Sequence, residues 1–142
     1  MVKHWNEEPH RLGLFGVNQE LRPQYFVYQM LGRMGRDRLL SSSDQPDLRV
    51  CAVRDEKKIS VLLVRHCAEP SEDLIVTLKF SNLTHSRKLL RAFRIDDYHR
   101  WDTKTLELLP VETREVDTYP TFSCQVYSPQ GTVTRLVLKE LD

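Results

Sequence analysis

Two spacings of apolar residues divide the chain. Between Pro23 and Met34, Phe26 and Met30 recur at four residues, and Val27, Leu31 and Met34 at four and three. That is the repeat of one helix face, and Tyr25 and Tyr28 widen the stripe beyond half the circumference. Pro23 suits the first turn, where its missing N–H costs nothing. Gly35 offers the C-terminal cap. The spacing therefore predicts a helix over 23–34, preceded by a turn at "GLFG" (13–16), and it expects protein on two of its sides.

Beyond the polar linker "SSSDQPD" (41–47) the period drops to two, which is the repeat of strands. "LRVCAVRD" (48–55) reads as a strand closed by the charged turn "DEKK". "ISVLLVRH" (59–66) is almost continuously apolar, as in a strand covered on both faces. "DLIVTLKFS" (73–81) sets Leu74, Val76, Leu78 and Phe80 inward and Thr77 and Lys79 outward. "KLLRAFRID" (88–96) alternates in the same way. A looser segment, 97–119, holds one more strand near "LLPVETREV". "TFSCQVYS" (121–128) and "GTVTRLVLKEL" (131–141) read as a hairpin joined by "PQ". Short strands at intervals of about ten residues are the pattern of a sandwich. The expectation is a mainly β chain: an Ig-like antiparallel β-sandwich of seven to eight strands preceded by one α-helix. Residues 1–40 form the loop-and-helix part and 41–142 the sandwich.

With 142 residues the chain is long enough for a full core. Its 21 basic and 20 acidic side chains are intermixed, so no basic face for nucleic acid is expected. No apolar run approaches the roughly 18 residues of a membrane span. The first ten residues, "MVKHWNEEPH", lack the apolar core of a signal peptide. Cys51, Cys67 and Cys124 are odd in number and widely spaced, without a C-x-x-C pair, so neither a metal nor any other cofactor is expected. Cys51 and Cys124 sit in strand-like runs as small core residues. This cysteine usage favours a reducing compartment, and a start without a signal-peptide core favours a cytoplasmic one as the expectation.

Chemistry-bearing motifs are few. "WNE" (5–7) looks like the Asn-Glu pair that supplies the acid/base carboxyl in sugar-cleaving barrels, but that chemistry needs a second carboxylate about 5–5.5 Å away on a rigid scaffold. Hence no catalytic residue is assigned, Glu7 included. In "RHC" (65–67) His66 and Cys67 are strand neighbours that point to opposite faces, which is no geometry for a nucleophile and its base. "GRMGR" (32–36) closes a helix instead of opening one, so it is no phosphate loop. "NLT" (82–84) is a formal sequon best read as a turn. "IDDYHRWD" (95–102) gathers Tyr98, His99 and Trp101 among aspartates. Aromatic faces beside carboxylates suit sugar rings, and these three residues are the carbohydrate-binding candidates.

In its order of loop, helix and strands the chain resembles the C-terminal end of clan-A glycoside hydrolases, especially the family 39 β-xylosidase and α-L-iduronidase group. In that family a loop after the eighth barrel strand leads to "GFGL" and a "(K/R)P-x-Y-Y-A-F" helix ending at "LG". A β-sandwich follows, with a "LLWNY"-like strand and an "IDxxHSN"-like segment. Here the corresponding stretches are "WNEEPHRLGLFG", "RPQYFVYQMLGRMG", "SVLLVRH" and "RIDDYHRW". Arg22-Pro23 with Tyr25, and Ile95-Asp96 with His99, match position by position; Arg100-Trp101 stand where the family has Ser-Asn. The family's catalytic glutamates lie on barrel strands four and seven, neither of which is present.

The resemblance implies a non-catalytic accessory sandwich with a structural or substrate-shaping role, in a protein similar to a glycosidase. Its partners would be carbohydrate and a catalytic barrel. The helix, through Phe26, Val27, Met30, Leu31 and Met34, would face that barrel or a second copy. Two alternatives stay open: a free-standing carbohydrate-binding module, and a sandwich that dimerises through its helix.

Overall fold

The computed structural model describes residues 13–16, 21–96 and 107–141. One helix, α1 (Pro23–Gly32), precedes eight strands: β1 (Asp37–Leu39), β2 (Leu48–Asp55), β3 (Lys58–Arg65), β4 (Leu74–Ser81), β5 (Ser86–Ile95), β6 (Glu112–Thr118), β7 (Thr121–Ser128) and β8 (Val133–Glu140). All pairings are antiparallel. The strands form a six-stranded sheet of order β1-β2-β3-β8-β5-β6 and a two-stranded sheet β4-β7. The expected mainly β, two-sheet antiparallel class with one leading helix is what the chain forms.

The face of each strand follows from its pattern. β4 alternates half-buried and exposed residues, with Val76, Leu78 and Phe80 turned inward beside Cys124 and Val126 of β7. These meet Ala52, Val61, Leu63, Leu90, Leu136 and Leu138 of the large sheet in the main core. A strand with one polar face belongs in the outer layer, where that face meets water. β3 and β8 are buried along nearly their whole length. They lie side by side at the centre of the large sheet, in register from Lys58↔Lys139 to Val64↔Val133. Such strands need cover on both faces. The small sheet covers one and α1 the other.

This arrangement corrects the expected hairpin. β7 and β8 are consecutive but do not pair; the chain crosses from the small sheet to the large one between them. Gly131, at φ +71°, and a hydrogen bond from Thr132 Oγ1 to Pro129 O (2.7 Å) make the turn. The physical reason lies in the patterns themselves: β7 carries one polar face and β8 none, so they cannot share an outer sheet. β1 was also not foreseen. Its residues, "DRL", carry no alternation, and pairing with β2 alone makes them a strand.

Candidate functional site: the helix layer and the buried charges

Arg22 is extended (φ −91°, ψ 160°), as the residue before a proline must be, and Pro23 opens α1. Phe26 and Met30, 1% and 3% exposed, point into a second core made with Leu62 and Ile95. Cys51, Val64, Phe93 and Val133 surround it from the outer face of the large sheet. The Tyr25 ring meets Phe26 edge-on at 5.5 Å and Phe15 at 5.9 Å. Arg22 N donates to Leu14 O at 2.9 Å, which holds the preceding turn against the helix start. Val27 and Met34 are half-buried at the margin.

Of the five expected interface residues, Phe26 and Met30 are thus consumed inside the chain and are closed to any partner, because the outer face of β3, β8 and β5 requires them. Leu31 remains outward, 48% exposed, and Tyr28, 55% exposed, stands three residues before it on the same side. The helix therefore has one apolar face spent on its own sheet and a smaller one, Tyr28 and Leu31, turned to solvent. Tyr28, which in the sequence pattern only widens the stripe, belongs to that outward face.

The C-terminal end of α1 is held by side chains from the sheet. Arg135 Nη2 donates to Arg33 O (2.7 Å) and to Ser60 Oγ (3.2 Å), and Lys58 Nζ reaches the same carbonyl at 3.4 Å. Arg135 is buried, and desolvation followed by the nearby Arg33 charge lowers its pKa from the ordinary value. The negative end of the helix dipole serves as its counter-charge. Gly35 then passes against the β2–β3 turn so closely that a Cβ would stand 2.5 Å from Arg54 O.

A second buried cation, Arg65 at the end of β3, makes four hydrogen bonds. Nε bonds Asp47 Oδ2 (3.1 Å), Nη1 bonds Ser128 O (2.6 Å), and Nη2 bonds Ser71 Oγ (2.9 Å) and Glu72 O. Cys67 Sγ also donates to Asp47 Oδ2, at 2.9 Å. That thiol hydrogen bond and the Arg65 guanidinium hold the Asp47 carboxyl below its ordinary value. Ser71 Oγ in turn donates to Cys67 Sγ at 3.0 Å, so the thiol is a link in this network. The His66 side chain is exposed, and its backbone N–H donates to Asp47 O at 3.0 Å.

Sequence reasoning missed Arg65, Lys88 and Arg135 as organising residues. Their signal was present: each is a charge at an otherwise apolar, inward position of a strand. The carbohydrate candidates Tyr98, His99 and Trp101 lie outside the described residues, as does Glu7. Among the described residues no group of three His, Cys, Asp or Glu side chains is placed to hold a metal ion. No helix among them is long and apolar enough to cross a membrane.

The class these features define is an antiparallel β-sandwich of six strands on two, with a helix as a third layer. That fold recurs as a segment of several glycoside hydrolases. The GH39 enzyme from Xanthomonas axonopodis pv. citri matches 91% of this chain with 32% of its own, at TM-score 0.74 and 13% identity. A monomeric β-xylosidase from Caulobacter crescentus CB15 matches 92% of this chain with 33% of its own, at TM-score 0.69 and 16% identity. A GH30 endoxylanase from Clostridium papyrosolvens C71 matches 96% with 32%, at TM-score 0.61 and 15% identity. At such identities the likeness is one of fold, and the chain spans about a third of the length of these enzymes. No protein-family model and no curated sequence matches it.

Proposed function

We propose that this chain is a non-catalytic sandwich domain of a glycoside hydrolase-like protein, with a structural or substrate-shaping role, and that it docks on a catalytic barrel through the outer side of α1. The observation that carries this reading is the division of α1. Phe26 and Met30 are sealed in the chain's own core, while Tyr28 and Leu31 stand outward on the other side. An outward Tyr–Leu pair on a helix already anchored by its opposite face is suited to a second protein body. The fold match points the same way, since it takes in nearly all of this chain but only about a third of each enzyme.

The test has two arms. The chain alone is assayed against aryl β-xylosides and α-L-arabinosides, and the expected result is no turnover. Hydrolysis that disappears on Glu7→Gln overturns the proposal. In the genomic sequence, the expected result is a reading frame that runs through Met1 from a barrel with an Asn-Glu strand end. A stop codon in that frame just ahead of Met1 overturns the docking of this domain on a barrel of its own chain.

A further inference from the structure

The seam between the last turn of α1 and the sheet holds more positive charge than its contacts neutralise. Arg135 stands on the outer face of β8, opposite Leu62 of β3 on one side and Phe93 of β5 on the other. It is 6% exposed. Its bonds to Arg33 O and Ser60 Oγ both leave from Nη2. Nε is buried and has no acceptor among the described residues. The Arg33 guanidinium lies close enough for its charge to act on Arg135. Among the described residues the paired cations are Lys58, Arg65, Arg87, Lys88, Arg94 and Arg114, and neither of these two arginines is one of them. Lys58, which reaches the same helix carbonyl, is matched by Asp55 at 3.4 Å. The carbonyl end of α1 supplies about half a negative charge. Two guanidinium charges face it.

Both arginines line a cavity of about 10 Å³, together with Gln29, Met30, Phe93 and Leu108. No carboxylate is among these described residues. A space of that size admits one particle about as large as water, which shuts out a sugar ring or a phosphoryl group. A water molecule there would accept from Nε but leave the charge uncompensated, and a buried donor that carries charge needs a partner of opposite sign. A monatomic anion is little larger than water and accepts from several N–H groups at once, and hydrogen bonds of that kind are the strong ones. Arg135 Nε, the Arg33 fork and the Gln29 amide are donors of the right sort. The Arg33 side is exposed, so that wall can yield to a slightly larger guest.

We propose that this cavity binds one chloride ion, or a halide of its size, between Arg135 and Arg33. The site uses residues of this chain alone and does not depend on what Tyr28 and Leu31 dock on. The test uses the full ¹⁵N-labelled chain at a fixed ionic strength of about 0.15 M, with chloride replacing gluconate, whose anion is too large for the cavity. The expected result is a saturable displacement of the Arg135 Nε–H resonance, with a melting temperature that climbs with chloride as linkage requires. Arg33→Gln should weaken chloride about tenfold, the loss of one charge-assisted bond. Arg36→Gln removes the same charge from an exposed residue that does not line the cavity, and should leave the affinity unchanged. Arg135→Met should abolish the chloride-dependent stabilisation, and the Arg33 variant carries the test if that protein does not fold. The proposal is overturned if gluconate and chloride give the same resonance and melting temperature, as they would for a bound water. It is overturned equally if Arg33→Gln binds chloride as the parent does, or if Arg36→Gln weakens it as much as Arg33→Gln.

Discussion

Replacing Phe26 by alanine separates two accounts of α1: a helix integral to the fold, and a helix merely appended to a sandwich. Phe26 is fully buried, and its ring packs on Leu62 and Ile95 as well as against the edge of Tyr25. Truncating a buried phenylalanine costs about 3–5 kcal/mol, transfer and cavity together. A domain of this size holds roughly 5–15 kcal/mol in all. The loss is therefore a large share of the total and should lower the melting temperature by roughly 10–20 °C. Leu31, one turn on but half exposed, provides the internal control: Leu31→Ala should change stability by no more than about 0.5 kcal/mol. Urea titration followed by far-ultraviolet circular dichroism measures both. The reasoning also requires one transition, because Phe26 and Met30 of α1 share one core with Leu62, Phe93 and Val133 of the sheet. A Phe26→Ala protein within about 1 kcal/mol of the parent would refute the integral helix. So would a helical signal that melts well before the sheet.

Gly35→Ala should destabilise the chain by about 1–3 kcal/mol on thermal unfolding, because its Cβ meets backbone at Arg54 and has no flexible side chain to displace. Asp47, whose carboxyl is held below its ordinary value, contributes stability that is present above the unfolded pKa of about 4 and is lost as pH falls through the lower folded value. Asp47→Asn should remove that part of the acid dependence, and an unchanged acid limb in a pH series of urea midpoints would count against it. Cys124 is buried, and burial pushes its thiol up to about 11. Iodoacetamide near neutral pH should leave it unmodified until the chain unfolds, with the more open Cys67 labelling first; peptide mass spectrometry reads the order.

Strand positions were legible because a half-buried strand writes its burial into alternate residues. Leu74 to Phe80 did so, and β4 runs over Leu74–Ser81 as expected. The near-continuous run from Ile59 to Val64 announced a central strand, and the same logic applied to Val133–Leu138 would have excluded the hairpin. What the pattern does not write is which partner a strand takes across the sandwich, since pairing depends on layers formed by distant segments. β1 escaped for a related reason: its three residues have no burial alternation, and their order comes from pairing with β2. The helix was legible from Arg22-Pro23 and the Phe26–Met30 spacing. Which half of its stripe stays outward was not, because that is fixed by the sheet beneath it. The polar sites were hidden by an ordinary assumption about strands. Arg65, Lys88 and Arg135 carry charges of the kind that strands ordinarily turn to solvent, yet each is buried and bonded to main chain or side chains far away in sequence.

These buried cations bear on where the chain divides. A boundary at residue 40 would put α1 and β1 in one unit and the remaining strands in the other. Yet Arg135, on β8, donates to the last turn of α1 across 102 residues of sequence. β1 pairs with β2 through Asp37↔Arg54 and Leu39↔Ala52, and Gly35 lies against the backbone of Arg54. Phe26 and Met30 close a core whose other half is sheet. Cutting at residue 40 would leave Arg135 without the helix carbonyl that accepts from it, and would expose Leu62, Phe93 and Val133 together. Exposing apolar side chains of this size costs about 1.5–3 kcal/mol each when fully uncovered, so the three together rival the stability of a whole domain. The helix therefore folds as a layer of the sandwich, and any docking on a second body uses only what that layer leaves outside, at Tyr28 and Leu31.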